Sequence, residues 1–289
     1  MTKTEKNTVC VYIITYNRVN LLKRALNSVL NQSTKVHEII IVDDCSTDGT
    51  EDFCLYMAKK HPAILYIRNS INMGAPASRN KAIKLSSSMF ITGLDDDDYF
   101  SNSRINEFIA AWDKKDNDTI ALCSNYIIKD KKSFKNKKSK KDRIVNNDLY
   151  ESNYVGNQIF SLREVFIQVG GFDTNLPAWQ DLELWLRVTQ HGPIAVINSW
   201  SYYVDISHPH ERISTQKIEK IGIAYSSIIK THTPKKNQKI LLQRQLDMYE
   251  NYNPWKYLFL SIINFSYLIF IISAKDIMKN IIKKSKANT

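Results

Sequence analysis

The sequence predicts an α/β fold in which helices cover both faces of a sheet. Short β-branched apolar runs alternate with helical patterns between residues 9 and 94. Strands that alternate with helices pair in parallel through right-handed crossovers. Acidic residues follow two of the apolar runs, at the carboxyl ends of strands, where open α/β sheets bind their ligands. One pattern therefore predicts both the fold class and the place of a site.

The individual elements follow from periodicity and capping signals. Val9–Thr15 is an apolar, β-branched run that predicts the first strand, and Leu22, Leu26 and Val29 share one face of the helix that follows. Residues 46–48 can cap the second helix. The later predicted elements are strand 38–42, helix 49–60, strand 64–67, helix 76–87 and strand 88–94.

The composition is that of a globular protein. The chain has 289 residues, of which 43% are hydrophobic and 24% charged, so whole-chain disorder is excluded. Four scattered cysteines without a Cys-x-x-Cys pair exclude a disulfide scaffold and a zinc ribbon, and we expect reduced thiols. Residues 1–8 are polar, and we expect no secretory signal.

The net charge of +11 is concentrated in two segments. Residues 129–143 hold nine Lys or Arg against two Asp, and residues 275–286 hold five Lys against one Asp. Local basic segments on a neutral body favour a solvated loop, a membrane surface or an anionic substrate over nucleic acid, which usually meets a broad basic face.

The acids after two predicted strands suggest a divalent-ion site. Asp95, Asp96, Asp97 and Asp98 are consecutive, and such a run repels itself unless a cation or hydrogen-bond donors compensate. In an extended segment Asp95 and Asp97 face the same side and Asp96 points elsewhere, whereas Asp98 could serve either side. Asp43 and Asp44 close an earlier strand, where capping and turn formation are an equal alternative. P-loop and dinucleotide-binding glycine motifs are absent from the sequence.

Four segments come in the order and spacing of glycosyltransferase family 2, which this chain resembles. They are residues 15–18 (TYNR), 39–50 (IIIVDDCSTDGT), 72–80 (NMGAPASRN) and 94–98 (LDDDD). The resemblance implies a GT-A type, Rossmann-like mixed sheet flanked by helices. It also implies transfer of a sugar from a nucleotide-sugar donor.

The resemblance assigns roles to individual residues. Asp43 or Asp44 would hold the nucleoside, Arg79 would help to seat the nucleotide, and Asp95 and Asp97 would ligate Mn²⁺ or Mg²⁺ at the diphosphate. Further expected contacts to the nucleotide-sugar or its metal are Thr15, Asp95, Asp96 and, in a late loop, His208 or His210.

An inverting transfer needs one base, and the family's pattern places it after the segment 170–173 (GGFD). The resemblance assigns it to Asp181, although Gln180 stands where relatives usually carry a first acid. Glu183 is a second candidate. The alternative is that Asp181 and Glu183 only complement the helix dipole.

The C-terminal part is expected to be a helical, membrane-associating extension. We place a GT-A domain at residues 1–215, with a nucleotide-sugar half at about 1–100 and an acceptor half at about 101–215, and the extension at residues 216–289. Residues 257–273 are mostly apolar, and as one helix they reach about 26 Å, which makes crossing a membrane marginal. Lys275, Lys279 and Lys283 then oppose Ile277, Met278, Ile281 and Ile282, as in an interfacial helix. A packed helix of the globular body is the alternative.

Together these features predict an inverting, metal-dependent hexosyltransferase. The expected donor is UDP-glucose or UDP-galactose, and the expected acceptor is a hydroxyl of an undecaprenyl-diphosphate-linked sugar in O-antigen or capsule synthesis. The enzyme would work at the cytoplasmic face of the bacterial inner membrane, without nucleic acid. The alternatives are a polyprenyl-phosphate sugar synthase and a non-catalytic, membrane-docked nucleotide-sugar binding protein.

Overall fold

The computed structural model of the chain describes residues 7–156, 158–208, 218–250 and 252–287, the last five without their side chains. The strands are β1 Val9–Thr15, β2 Glu38–Asp43, β3 Ile64–Arg68, β4 Phe90–Asp95, β5 Tyr99–Phe100, β6 Ala121–Ser124, β7 Tyr126–Lys129, β8 Phe134–Lys137, β9 Arg143–Ile144, β10 Phe160–Leu162, β11 Ile194–Ile197 and β12 Tyr202–Asp205. The helices are α1 Val19–Leu30, α2 Thr50–Lys60, α3 Ala75–Leu85, α4 Arg104–Trp112, α5 Asn146–Glu151, α6 Arg163–Gln168, α7 Gln180–Val188, α8 Ile218–His232, α9 Lys236–Asp247, α10 Pro254–Ile263 and α11 Tyr267–Ala287.

The main sheet is mixed and has the strand order β3-β2-β1-β4-β10-β6-β11-β9. The pairs β1 with β2, β1 with β4 and β2 with β3 are parallel, which confirms the predicted parallel pairing. Strand β10 then pairs antiparallel with both β4 and β6. The predicted mixed α/β architecture is confirmed.

Helix α3 ends two residues earlier than the pattern predicts. The serines that follow it are bound to Glu38 at the start of β2: Ser86 and Ser88 donate through their hydroxyls at 2.7 and 2.8 Å, and Ser87 does so at 2.6 Å. Because these serines compete with helical hydrogen bonds, the chain leaves the helix and enters β4 at Phe90.

The core lies between the parallel strands and the helices that cover them. Val11 and Ile13 of β1, Ile41 of β2 and Leu26 of α1 are all fully buried. Phe90 and Phe160 stack with ring centroids 4.9 Å apart and extend the core toward β10. This packing holds the carboxyl ends of β1, β2 and β4 in place.

The basic segment 129–143 is not the solvated loop that its charge suggested. Strands β7 and β8 pair antiparallel across a turn in which Asp130 N donates to the Ser133 carbonyl at 2.9 Å. They belong to a second sheet of order β5-β12-β7-β8. The loop expectation is wrong here, because Tyr126, Ile127 and Ile128 supply an apolar strand on which the lysine-rich strand pairs.

The chain divides into two compact units. The first holds the described residues of Met1–Asn146, Tyr154–Asn175 and Gln180–Glu211, and it contains both sheets. The second holds those of Asn147–Asn153, Leu176–Trp179 and Arg212–Thr289. In the second unit Leu176, Ala178, Ile221 and Ala224 form a small core. The predicted domain limits at residues 215 and 216 stay a prediction.

The C-terminal apolar run does not form the single helix that we expected. Helix α10 ends at Ile263, and α11 begins at Tyr267 after a turn in which Phe265 has a φ of 49°. Ile277 is buried, while Met278 and Ile281 are exposed, so the expected grouping of apolar residues on one face is also wrong. Among the described residues, no helix has both the length and the apolar content that crossing a membrane would take.

Candidate active site

The parallel strands bring the predicted site residues to one edge of the main sheet. Thr15, the last residue of β1, lies in register with Asp43 of β2, which lies in register with Arg68 of β3. On the other side of β1, Asp95 at the end of β4 lies in register with Ile14. Four strand ends therefore place polar side chains along a single edge.

The acidic run after β4 divides into residues with different partners. Asp95, Asp97 and Asp98 each place one carboxylate oxygen within 4.8 Å of the others. Asp98 is fully buried and accepts hydrogen bonds on both oxygens, from the Tyr202 hydroxyl at 2.9 Å and from Asp205 N at 3.0 Å. Asp95 and Asp97 are therefore the carboxylates that best suit a hard divalent ion, which takes oxygen ligands and commonly uses one or two from the protein.

Asp96 faces the end of β1. Its carboxylate accepts a hydrogen bond from the Thr15 hydroxyl at 2.9 Å and another from Arg18 at 3.1 Å. Burial raises the pKa of Asp96 to about 7, and the positive charge of Arg18 opposes that rise. Thr15 and Asp96, both predicted to touch the nucleotide-sugar, thus contact each other, and their contact with a donor stays a prediction.

His208 is the late-loop histidine that lies beside the acids. Its Nε2 is 3.3 Å from an Asp97 oxygen, and its side chain is buried. Arg18 approaches the same oxygen at 3.5 Å. His210, the other predicted candidate, lies outside the described residues. A role for His208 at a metal or diphosphate stays a prediction.

Asp43 and Asp44 are buried and hold the loops beyond β2. Asp43 accepts from Ser46 N in the following turn at 2.8 Å and from the Tyr66 hydroxyl of β3 at 2.9 Å. Asp44 accepts from the backbone N–H groups of Met73 at 2.8 Å and Gly74 at 2.7 Å. Turn formation, the alternative that the sequence left open, therefore describes what both carboxylates do in the structure. The nucleoside contact stays a prediction.

Arg79 lies between the acid of β4 and the acid of α7. Its Nη2 donates to Asp95 at 3.2 Å, and its Nη1 donates to Gln180 at 3.4 Å and lies 3.6 Å from Asp181. Arg79 is 6% exposed, and its Cζ lies 5.1 Å from the centroid of the Phe172 ring. Sequence reasoning assigned Arg79 to the nucleotide; the structure shows that it joins two predicted site acids that are far apart in the chain.

The segment around Arg79 is locked to the Gly-Gly-Phe-Asp segment. Asn80 donates to the Phe172 carbonyl and accepts from Phe172 N, both at 2.7 Å. Gly171 has a φ of 71°, and a Cβ there would lie 2.4 Å from the Asn80 side chain. A glycine is needed at position 171 for both reasons. The two hydrogen bonds hold α3 against the segment that precedes α7.

Asp181 has the surroundings of a general base. Burial raises its pKa to about 7, which Arg79 opposes and the charge of Asp95 reinforces. Its side chain remains 26% exposed, so an acceptor can reach it. Glu183, the second candidate, is 4% exposed and forms an ion pair with Arg187 at 2.5 Å. The two acids therefore differ in access, and Asp181 shares its partner Arg79 with Asp95 of the acidic run.

Sequence reasoning missed Gln158. Its Nε2 donates to Asp95 at 3.1 Å, and its Oε1 accepts from the buried Tyr12 hydroxyl at 3.3 Å. Gly93 makes room for it, because a Cβ there would lie 2.0 Å from Gln158 Oε1. Gln158 lies 63 residues from Asp95 and in none of the segments that resemble the family. The isolated glycine inside the apolar strand was the one local signal of a close approach.

Comparison with known proteins gives the family. The sequence profile described as "Glycosyl transferase family 2" matches residues 10–172. The putative colanic acid biosynthesis glycosyl transferase WcaA of Escherichia coli K12 is 33% identical over 214 residues, covering 72% of this chain and 75% of WcaA. The E. coli UDP-Glc:alpha-D-GlcNAc-diphosphoundecaprenol beta-1,3-glucosyltransferase WfaP is 37% identical over 101 residues, covering 35% of this chain and 39% of WfaP.

The fold has a close solved counterpart. The crystal structure of S. aureus TarS 1-349 in complex with UDP-GlcNAc superposes with a TM-score of 0.67 at 17% identity, over 93% of this chain and 80% of that one. The likeness confirms the predicted GT-A type of fold. The profile match covers more than half of the chain. The chain therefore belongs to glycosyltransferase family 2 and is a glycosyltransferase.

Proposed function

We propose that the chain transfers a hexose from a UDP-sugar, with inversion, to a hydroxyl of an undecaprenyl-diphosphate-linked sugar. The observation that carries the proposal is the Arg79 bridge, because it fixes a carboxylate suited to a cation, Asp95, beside a reachable carboxylate suited to a proton, Asp181. A single displacement needs both functions at neighbouring positions.

Asp95 and Asp97 would hold the divalent ion, Mn²⁺ or Mg²⁺. When bound, the ion neutralises the charge that develops on the departing diphosphate. Oxygen-only donors with part of Asp95 exposed to solvent fit a hard cation that keeps water and phosphate ligands. Arg79 keeps Asp95 oriented and balances the negative charge of both acids.

Asp181 would take the proton from the acceptor hydroxyl. The hydroxyl oxygen then bonds to the anomeric carbon from the face opposite the diphosphate, the bond from that carbon to the β-phosphate oxygen breaks, and UDP leaves. One base is enough for this step, which agrees with Gln180 in place of a first acid. Inversion at an α-linked donor gives a β linkage.

Support for the donor and acceptor comes from the relatives. The name of WfaP states a UDP-Glc donor and a diphosphoundecaprenol-linked acceptor, and the TarS complex contains UDP-GlcNAc. UDP-glucose and UDP-galactose are our preferred donors, and O-antigen or capsule repeat units are the preferred products. Since such acceptors are carried by a membrane lipid, we place the enzyme at the cytoplasmic face of the bacterial inner membrane.

Donor profiling tests the proposal. Purified full-length protein is incubated with Mn²⁺, single UDP-sugars and a synthetic lipid-diphosphate GlcNAc acceptor, and the product linkage is read by NMR. We expect one hexosyl donor to be used and a β linkage to form. Transfer to a bare polyprenyl phosphate would indicate a lipid-phosphate sugar synthase instead, and an α linkage would contradict a single displacement. Donor binding without transfer to any acceptor would indicate a binding protein.

A further inference from the structure

Helices α10 and α11 form a hairpin that is closed by its own contacts. Tyr257 of α10 and Ile269 of α11 are fully buried, and Ile272 is nearly so. At the turn, Ser266 N donates to the Ser261 carbonyl at 2.9 Å, and Phe265 N donates to the Ile262 carbonyl at 3.2 Å. The hairpin is therefore an ordered structure with a defined apex at residues 264–266.

The apex and its flanks expose large apolar side chains. Phe265 is 97% exposed. Other exposed residues on either side of it are Trp255, Phe259, Ile262, Ile263, Tyr267, Leu268 and Phe270. Soluble monomers rarely expose so many neighbouring apolar side chains, and such a surface marks a partner or a membrane.

Three side-chain donors near the apex are paired within the hairpin. The Ser261 hydroxyl donates to the Leu258 carbonyl at 2.5 Å, and Asn264 Nδ2 donates to the Leu260 carbonyl at 2.7 Å. The Ser273 hydroxyl donates to the Ile269 carbonyl at 2.8 Å. Internal pairing of donors is what hydrocarbon demands, since it offers no hydrogen-bonding partner.

The basic residue nearest to the apex lies at a similar distance from it on each arm of the hairpin. Lys256 precedes Phe265 by nine residues and Lys275 follows it by ten, which is about 13 to 15 Å along a helix. Half of a bilayer's hydrocarbon core is about 15 Å thick. Trp255, which is 61% exposed, lies at the level of these lysines, and tryptophan favours the membrane interface. Asp276, which follows Lys275, is paired with Arg244, and Lys256 is paired with Asp247 at 2.7 Å.

We propose that this hairpin inserts its apex into one leaflet of an anionic bilayer and holds the enzyme there without crossing it. From the apex to the base of the hairpin, apolar side chains are followed by lysine and tryptophan. A leaflet has the same order from its centre outward, because its hydrocarbon is followed by the phosphate groups. A second copy of the chain or a protein groove would not require two lysines at one leaflet's depth. The proposed function enters this proposal only as the purpose of the insertion, which is to bring the enzyme to a lipid-linked acceptor.

Flotation of the full chain with vesicles tests the insertion. Vesicles of phosphatidylcholine with roughly a third phosphatidylglycerol are compared with phosphatidylcholine alone, for the wild type, Phe265→Asp and Lys275→Gln. We expect wild-type flotation on anionic vesicles, at least a tenfold weaker partition for Phe265→Asp, and a loss of lipid selectivity for Lys275→Gln. Ile223→Asp is the matched control, because it puts a carboxylate on another exposed apolar position, in α8, and we expect it to float like the wild type.

Two further readouts keep the outcomes distinct. Equal flotation of Phe265→Asp and the wild type would overturn the proposal, as would a lipid-free dimer that Phe265→Asp dissociates in analytical ultracentrifugation. Turnover of a soluble acceptor analogue should be unchanged in Phe265→Asp, because Phe265 belongs to the second unit and the predicted site residues belong to the first. A chain that floats but transfers no sugar would refute the proposed function and leave the insertion standing.

Discussion

Replacing Gly93 with alanine should disturb the candidate active site by displacing Gln158, which contacts Asp95. Gly93 lies in β4 directly beside Tyr12 of β1, and a Cβ there would lie 2.0 Å from Gln158 Oε1 and 2.6 Å from Tyr12 Cε2. Neither neighbour can move freely, because Tyr12 is buried in the sheet and Gln158 is 4% exposed. The added methyl group should therefore displace Gln158 from Asp95.

The magnitude follows from two contributions. Overpacking a buried position costs about 1 to 3 kcal/mol, and the lost hydrogen bond from Gln158 to the Asp95 carboxylate costs about 1.5 to 3 kcal/mol. Because the two changes share one side chain, we expect a loss of about 2 to 5 kcal/mol in the free energy of unfolding. Asp95 also loses an orienting partner, which typically weakens metal affinity by about 10- to 100-fold.

Urea unfolding followed by hydrogen-exchange mass spectrometry measures the stability of each unit, and Mn²⁺ titration measures the affinity. Gly222→Ala is the matched control: a Cβ at Gly222 meets no atom within 4 Å and the residue lies inside α8, so the same substitution should stabilise by about 0.5 to 1 kcal/mol. If Gly93→Ala unfolds at the same urea concentration as the wild type and binds Mn²⁺ equally well, the close approach of Gln158 to Gly93 is refuted.

Three further predictions concern the acids. Asp97→Ala should abolish Mn²⁺-dependent UDP binding without unfolding the chain, and calorimetry that gives equal UDP affinity with and without metal would contradict this. Asp98→Ala should instead lower stability, because it removes the acceptor of the Tyr202 hydroxyl. Asp44→Ala should destabilise by about 1 to 3 kcal/mol, because two loop N–H groups lose their acceptor, and an unchanged melting temperature would count against this. Burial raises the pKa of Asp181 to about 7 and a bound cation lowers it, so kcat should rise with pH to a plateau with a midpoint at or below about pH 7; a rate that falls over that range would exclude an ionised base.

Local sequence patterns were enough to predict the parallel core of the sheet and the edge where the site lies. The apolar run of β1 and the acids after β4 carry their signal within a few residues, because a strand and its end are set by neighbours in the chain. The place of Asp181 at the start of a helix was implied by the resemblance to the family, and α7 begins at Gln180.

The connections between these segments were not predictable from local patterns. Arg79 meets Gln180 across 101 residues, and Tyr12 meets Gln158 across 146, so neither contact has a local signature. The hairpin turn was missed for another reason. Phe265 takes a positive φ without a glycine or proline beside it, and the apolar run masks the break.

The proton acceptor is the centre of this account, and single-turnover transfer by Asp181→Asn tests it most directly. Glu183→Gln is the control, because Glu183 is bound to Arg187 and should affect stability more than chemistry. With UDP-sugar affinity measured on each variant, we predict that Asp181→Asn keeps donor binding and loses about 10²- to 10⁴-fold in rate, while Glu183→Gln transfers at nearly the wild-type rate. Loss of transfer in Glu183→Gln together with normal transfer in Asp181→Asn would contradict the assignment and place the acceptor on the other face of α7.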